Sequence, residues 1–162
     1  MTSDPAIDPA AFRAALGRFA TGICVVTTAA EDGGEGAAIT VNSFTSLSLD
    51  PPLVLFCIDR GASSLAAFQR CASFAVNVLA EDQEALSRRF AACPAPPFAG
   101  LDCERLVTGA PILPGTLAAI DCRREAVHAG GDHLIIVGRV AGLRHREGRP
   151  LLYFAGRYAA LA

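Results

Sequence analysis

The segment Thr40 to Pro52, TVNSFTSLSLDPP, carries two threonines, an asparagine and three serines within nine residues of its start. If it is extended through Ser48, Thr40, Asn42, Phe44, Ser46 and Ser48 share one face while Ile39, Val41, Thr45 and Leu47 lie on the other. That face sets hydroxyls and an amide around a single aromatic ring, groups able to satisfy donors and acceptors on a bound ligand. The same alternation fits the solvated outer face of an antiparallel strand, and periodicity alone favours that plainer reading.

Four other places hold groups that could do chemistry. Ser63 and Ser64 fall where a helix is expected to begin, so free N–H groups and the helix dipole would favour an anion there; an ordinary N-cap explains them equally well. Arg88 and Arg89 close the next helix, where two solvated cations are the plain alternative. His133, in the string GGDH, opens a strand beside Asp132, and His128 lies five residues earlier, but the three lack the spacing of a metal site. Tyr158, in the closing FAGRY, suits either a ligand contact or core packing. His145 sits in a charged hairpin end and is read as exposed. The six cysteines, at 24, 57, 71, 93, 103 and 122, form no C-x-x-C pair and are read as free, non-catalytic thiols. The chain contains no G-x-G-x-x-G, no P-loop and no G-x-S-x-G elbow, so a nucleotide would have to bind in some other way.

These residues need elements to position them. Asp8 and Pro9 read as an N-cap and first helical residue, with Phe12, Ala15, Leu16 and Phe19 following at helical spacing. From Gly22 the pattern turns β-branched, and EDGGEG supplies a reversal between ICVVTT and AAITVNSFTSLSL. LVLFCI and FAVNVL read as strands, with a short helix after Ser64 and another over EDQEALSRRFA, acidic at its start and basic at its end. The proline-rich stretch from Ala92 to Gly115 reads as a long irregular loop. Two long strands around Gly130–Gly131 follow, and LLYF closes the set. Without βαβ alternation, this order predicts a mainly β domain with short helices, an antiparallel barrel of six or seven strands.

The chain of 162 residues suits one domain, 1–162, with residues 1–10 as a flexible N-terminal segment. Its 52% hydrophobic content excludes disorder and favours a strand-rich core or an oligomer that hides extra apolar surface. Apolar runs are far shorter than the ~20 residues of a membrane span, and MTSDPAIDPA lacks the marks of a secretory signal, so a cytoplasmic location is expected. All 14 basic residues are arginines, scattered over a chain of net charge −2, which argues against nucleic acid as a partner.

Six strings in register give the chain a specific resemblance. FRAALGRFATGICVVTT at Phe12, AITVNSFTSLSLDPPLVLFCID at Ala38, FAVNVLAEDQEALSRRFA at Phe74, GAPILPGTLAAIDC at Gly109, GDHLIIVGRV at Gly131 and PLLYFAGRY at Pro150 resemble the flavin reductase family of FMN-binding split barrels. These serve as reductase components of two-component flavin monooxygenases. The resemblance implies hydride transfer from NADH or NADPH to FMN or FAD, delivery of reduced flavin to an oxygenase, and a homodimer with flavin near the subunit boundary. It implies that Thr40, Asn42, Ser43 and Ser46, with Ser48 nearby, line the flavin, that Ser63, Ser64 and Arg89 serve its phosphate or ring, and that His133 and Tyr158 meet the nicotinamide. In that role His133 would orient and polarise, since stacked rings matter more to hydride transfer than an acid or base. The alternatives are a split barrel that keeps its flavin and reduces a corrinoid or quinone, and a non-catalytic flavin- or haem-binding barrel.

Overall fold

The structure, a computed structural model, describes residues 6–31, 33–92 and 95–161, so Cys93 lies outside it. The chain opens with helix α1 (Pro9–Leu16), which starts inside the segment read as flexible. Asp8 caps it as expected, its carboxylate accepting from the Ala11 N–H at 2.9 Å. Short strand β1 (Thr21–Gly22) leads into β2 (Cys24–Thr28), β3 (Ala37–Val41), β4 (Thr45–Leu49) and β5 (Pro52–Asp59). Helix α2 (Leu65–Arg70), strand β6 (Ser73–Val78) and, after a 3-10 turn, helix α3 (Glu84–Ala91) follow. The chain ends with β7 (Glu104–Arg105), β8 (Pro111–Ile112), β9 (Ala118–Gly130), β10 (His133–His145), β11 (Leu152–Phe154) and β12 (Arg157–Ala159).

Seven strands form one antiparallel sheet in the order β3-β2-β6-β9-β10-β5-β4. The long β9–β10 hairpin runs down its middle and turns through Gly131 and Asp132, with Gly131 at φ 66° in the left-handed region that glycine tolerates. The LLYF segment joins β1 and β12 in a separate three-stranded sheet, so it flanks the barrel rather than completing it. The stretch read as irregular includes the small β7–β8 pair. It is pinned from below: the fully buried Asp121 carboxylate accepts from the Val107 and Thr108 N–H groups and the Thr108 hydroxyl, and Asn77 accepts from the Leu113 N–H.

One feature of the sheet decides the site. Strands β3 and β4 are its two opposite edges, yet only Asn42, Ser43 and Phe44 separate them. A connection that short reaches no more than about 14 Å, so the sheet must curl until its edges nearly meet. The segment is therefore not one continuous strand with a single polar face. Pairing stops at Val41 and resumes at Thr45, where the chain has crossed from one edge to the other.

Inside the curl, Phe56 meets Phe68 and Phe74 edge to face, with centroids 5.6 and 5.2 Å apart, among Val26, Val76, Ile58 and Ile136. Gly138 on β10 admits this aromatic cluster, since a β-carbon there would collide with the Phe74 ring and Cys122. Helix α1 stands apart: none of its residues is buried, and Phe12, Leu16 and nearby Phe19 are 53%, 58% and 77% exposed.

Candidate functional site at the sheet seam

Three clefts converge on Asn42. The largest, about 720 Å³, is mostly apolar and is walled by Leu16, Phe19, Phe44 and Val78 beside Asn42 and Ser43. A second, about 300 Å³, lies between α1 and the β11–β12 turn and is lined by Arg13, Tyr153 and Phe154. A third, about 260 Å³, is bounded by Thr40, Asn42, Ser87, Tyr153 and Tyr158. Asn42 borders all three because it leaves the sheet exactly where strand pairing ends; its side chain is exposed and committed to nothing among the described residues. A separate cleft of about 380 Å³, between Gly33–Gly36 and the Pro96–Ala99 loop, contains none of the residues singled out above.

Ser43 ties the seam shut from one side. Its hydroxyl donates to the Cys57 carbonyl at 2.9 Å and accepts from the Cys57 N–H at 3.0 Å. Continuing the Thr45–Leu55 register by two residues would set Ser43 opposite Cys57, so a side chain replaces the ladder bonds that β4 no longer supplies. Ser46 and Ser48 lie beyond the seam on β4, exposed and half-buried. They do not line the three clefts.

Thr40 and Tyr158 meet through a residue that the sequence did not flag. The Thr40 hydroxyl donates to the Ser87 carbonyl at 2.7 Å, and the Ser87 and Tyr158 hydroxyls lie 2.9 Å apart. Tyr158 is gripped on both sides, by the Arg88 guanidinium 4.7 Å over its face and by Tyr153 edge-on at 5.7 Å. Ser87 is fully buried within α3. A serine inside a helix competes with the helix's own bonds, and that signal could have marked it in the sequence.

His133 occupies a different corner, the start of β10 opposite Asp59. Its Nδ1 lies 2.7 Å from the Asp132 carboxylate, and this contact holds Asp132 below the usual carboxylate range. Arg60 braces the same turn: its N–H donates to the Asp132 carbonyl and its side chain to Gly131. Ser63 and Ser64 follow within the same corner, Ser63 exposed and Ser64 buried with its hydroxyl unpartnered among the described residues. Along β5 only Ile58 separates Cys57, under the seam, from Asp59, opposite His133, a step of about 7 Å. Seam and corner are therefore neighbours. Arg89 is not with them: its guanidinium donates to the Pro97 and Ala99 carbonyls at 3.0 and 2.7 Å and straps the proline-rich loop to α3.

The thiols are quiet. Cys24, which borders the largest cleft, is pushed up to about 12 by burial, as is Cys122, where Asp121 adds to the effect. Among the described residues no cluster of histidine, cysteine and carboxylates could hold a metal ion, and no helix is long and apolar enough to cross a membrane.

A family model described as a flavin reductase like domain matches residues 16–162. The chain is 47% identical over 157 residues to the reductase subunit HsaB of a flavin-dependent monooxygenase from Rhodococcus jostii, covering 96% of this chain and 80% of that protein. It is 48% identical over 147 residues to the FMN reductase (NADH) SmoA of Agrobacterium fabrum, covering 91% and 83%. Among solved structures, the NADH:FAD oxidoreductase SgcE6 of Streptomyces globisporus, in complex with NAD and FAD fragments, superposes with a TM-score of 0.89 at 34% identity, covering 98% of this chain and 97% of that one.

Proposed function

The chain belongs to the flavin reductase family, and from that premise we propose that it is an NADH-dependent flavin reductase that reduces FMN or FAD and supplies the reduced flavin to a partner monooxygenase. The observation that carries the reading is the convergence of three clefts on Asn42, at a seam edged by hydroxyls and the uncommitted Asn42 amide and floored by apolar groups. A flat ring with a polar rim needs such a surface. Held there by Asn42 and Thr40, a flavin would supply the two-electron acceptor that takes a hydride from the reduced nicotinamide.

The chain's part in that reaction is placement. Asn42 and Thr40 offer an amide and a hydroxyl to the flavin rim, Phe44 and Phe19 offer apolar wall, and Ser43 fixes the seam through Cys57. Ser46, Ser48 and the exposed Ser63 extend the polar surface along β4 and the α2 turn, and the strapped loop gives Arg89 an indirect role. His133, oriented by Asp132, and Tyr158 serve the nicotinamide. Ser64 shapes the turn from within.

We further propose a homodimer. Leu16 of the unburied α1 and Phe19 after it border the seam, Leu47 and Leu49 stand exposed further along β4, and a second copy covering the α1 face would close the largest cleft. Light scattering at micromolar concentration should give twice the chain mass, and a monomer with full turnover would exclude a shared site. We place the enzyme in the cytoplasm, where free thiols such as these stay reduced. The activity itself is tested by mixing NADH with excess FMN under anaerobic conditions. Bleaching of the whole flavin pool supports the reading; bleaching of only a stoichiometric fraction, or none, contradicts it.

A further inference from the structure

We infer that the cleft bounded by Thr40, Asn42, Ser87 and Tyr158 reads an amide or imide edge, one N–H beside one C=O, and that Ser87 is the positioning residue that decides which wall group donates and which accepts. The inference rests on the flavin reductase reading, because both rings of that reaction carry such an edge: the pyrimidine side of the flavin and the carboxamide of nicotinamide.

The argument is a count of protons. The Thr40 hydroxyl has one, and it is spent on the Ser87 carbonyl, so toward the cleft Thr40 presents only lone pairs. The Ser87 and Tyr158 hydroxyls have two between them, and their mutual bond uses one. No other partner takes the second among the described residues, so this pair is left with one proton to donate. The wall therefore sets a fixed acceptor, Thr40, beside a hydroxyl pair with one proton to give, whichever of the two carries it, and this is the complement of N–H next to C=O. Asn42, with both functions on one amide, completes the rim.

Ser87 is the hub because both bonds end on it. Its carbonyl disposes of the Thr40 proton and its hydroxyl holds Tyr158, whose ring is already clamped by Arg88 and Tyr153. A serine within a helix ordinarily bonds a carbonyl one turn back or meets water. This one is fully buried and reaches a tyrosine 71 residues away. Three elements, β3, α3 and β12, thereby converge on one cleft wall.

The test compares ligands with and without the N–H. FMN and N3-methyl-FMN are titrated by fluorescence quenching, and NAD and its 3-acetylpyridine analogue by calorimetry, against the wild-type protein, Thr40→Val and Ser87→Ala. The wild type should prefer the N–H-bearing ligand of one pair by about tenfold, the scale of one well-made buried hydrogen bond, and both substitutions should cut that preference to about threefold or less. A preference in the flavin pair assigns the edge to the flavin, and in the dinucleotide pair to nicotinamide. If Ser87→Ala does not fold, judged by circular dichroism, the nearly isosteric Thr40→Val decides alone. No preference in either pair, or one that survives the substitutions, overturns the inference and leaves the reductase reading intact. A wild type that binds neither FMN nor NAD overturns the reading itself.

Discussion

The seam at Asn42 and the corner at His133 are built by different means. At the seam, bonds from separated parts of the chain fix the walls: Ser43 to β5, Thr40 to α3, Ser87 to β12. At the corner, a tight turn and the contact between adjacent Asp132 and His133 present the ring in the open, and Arg60 braces them from outside the hairpin, through the Asp132 and Gly131 carbonyls. The seam must hold a shape against its own exposed edges, whereas the corner need only present one ring. A site that binds one partner for a full turnover and meets another in passing could use this division, with rigidity where affinity is needed and access where exchange is needed.

The comparison breaks first at Ser43. Replacing it with alanine leaves the Cys57 N–H and carbonyl without their partner, which should cost about 2 kcal/mol of stability and lower the melting temperature by about 4–8 °C. A melt within a degree of wild type would mean that the seam is not tied there. At the corner, Asp132→Asn should cost almost no stability and lower kcat/KM for NADH by about two- to fivefold, as expected for an exposed pair. The sign of its pH dependence follows from the lowered Asp132 pKa: the contact is fully present above the ordinary carboxylate range and is lost as pH falls through the lowered value. The wild-type advantage over Asp132→Asn should therefore shrink in acid, and an advantage that grew would contradict the pairing.

The smallest effect belongs to the thiols. Cys24 and Cys122, pushed up to about 12 by burial, remain protonated at pH 8 and should resist iodoacetamide, leaving turnover unchanged. Loss of activity that tracked modification of Cys24, in folded protein, would place a reactive group in the largest cleft.

Much of this was legible in the sequence. Asp8–Pro9 announced α1, EDGGEG the β2–β3 reversal, and Gly130–Gly131 the central hairpin, whose turn falls one residue later at Gly131–Asp132, because caps and turns are local chemistry. The crossing at Asn42–Phe44 was not, since side-chain alternation is blind to whether a backbone keeps its ladder partners or leaves one edge for the other. For the same reason Ser43 could be read as a ligand contact while its hydroxyl serves β5, and Arg89 while its guanidinium serves two carbonyls. Ser87 was passed over because its importance lies in partners 47 and 71 residues distant. The unburied α1 was legible only as composition, an apolar chain with more greasy surface than one small domain hides.

The division of labour is tested most directly by measuring flavin affinity and NADH turnover side by side in Asn42→Ala and His133→Ala. Asn42→Ala should weaken FMN by about tenfold, the loss of one positioned polar contact. His133→Ala should leave FMN affinity within about twofold while lowering turnover between about fivefold and two hundredfold. If His133→Ala released the flavin, or left NADH turnover untouched, seam and corner would not serve different rings.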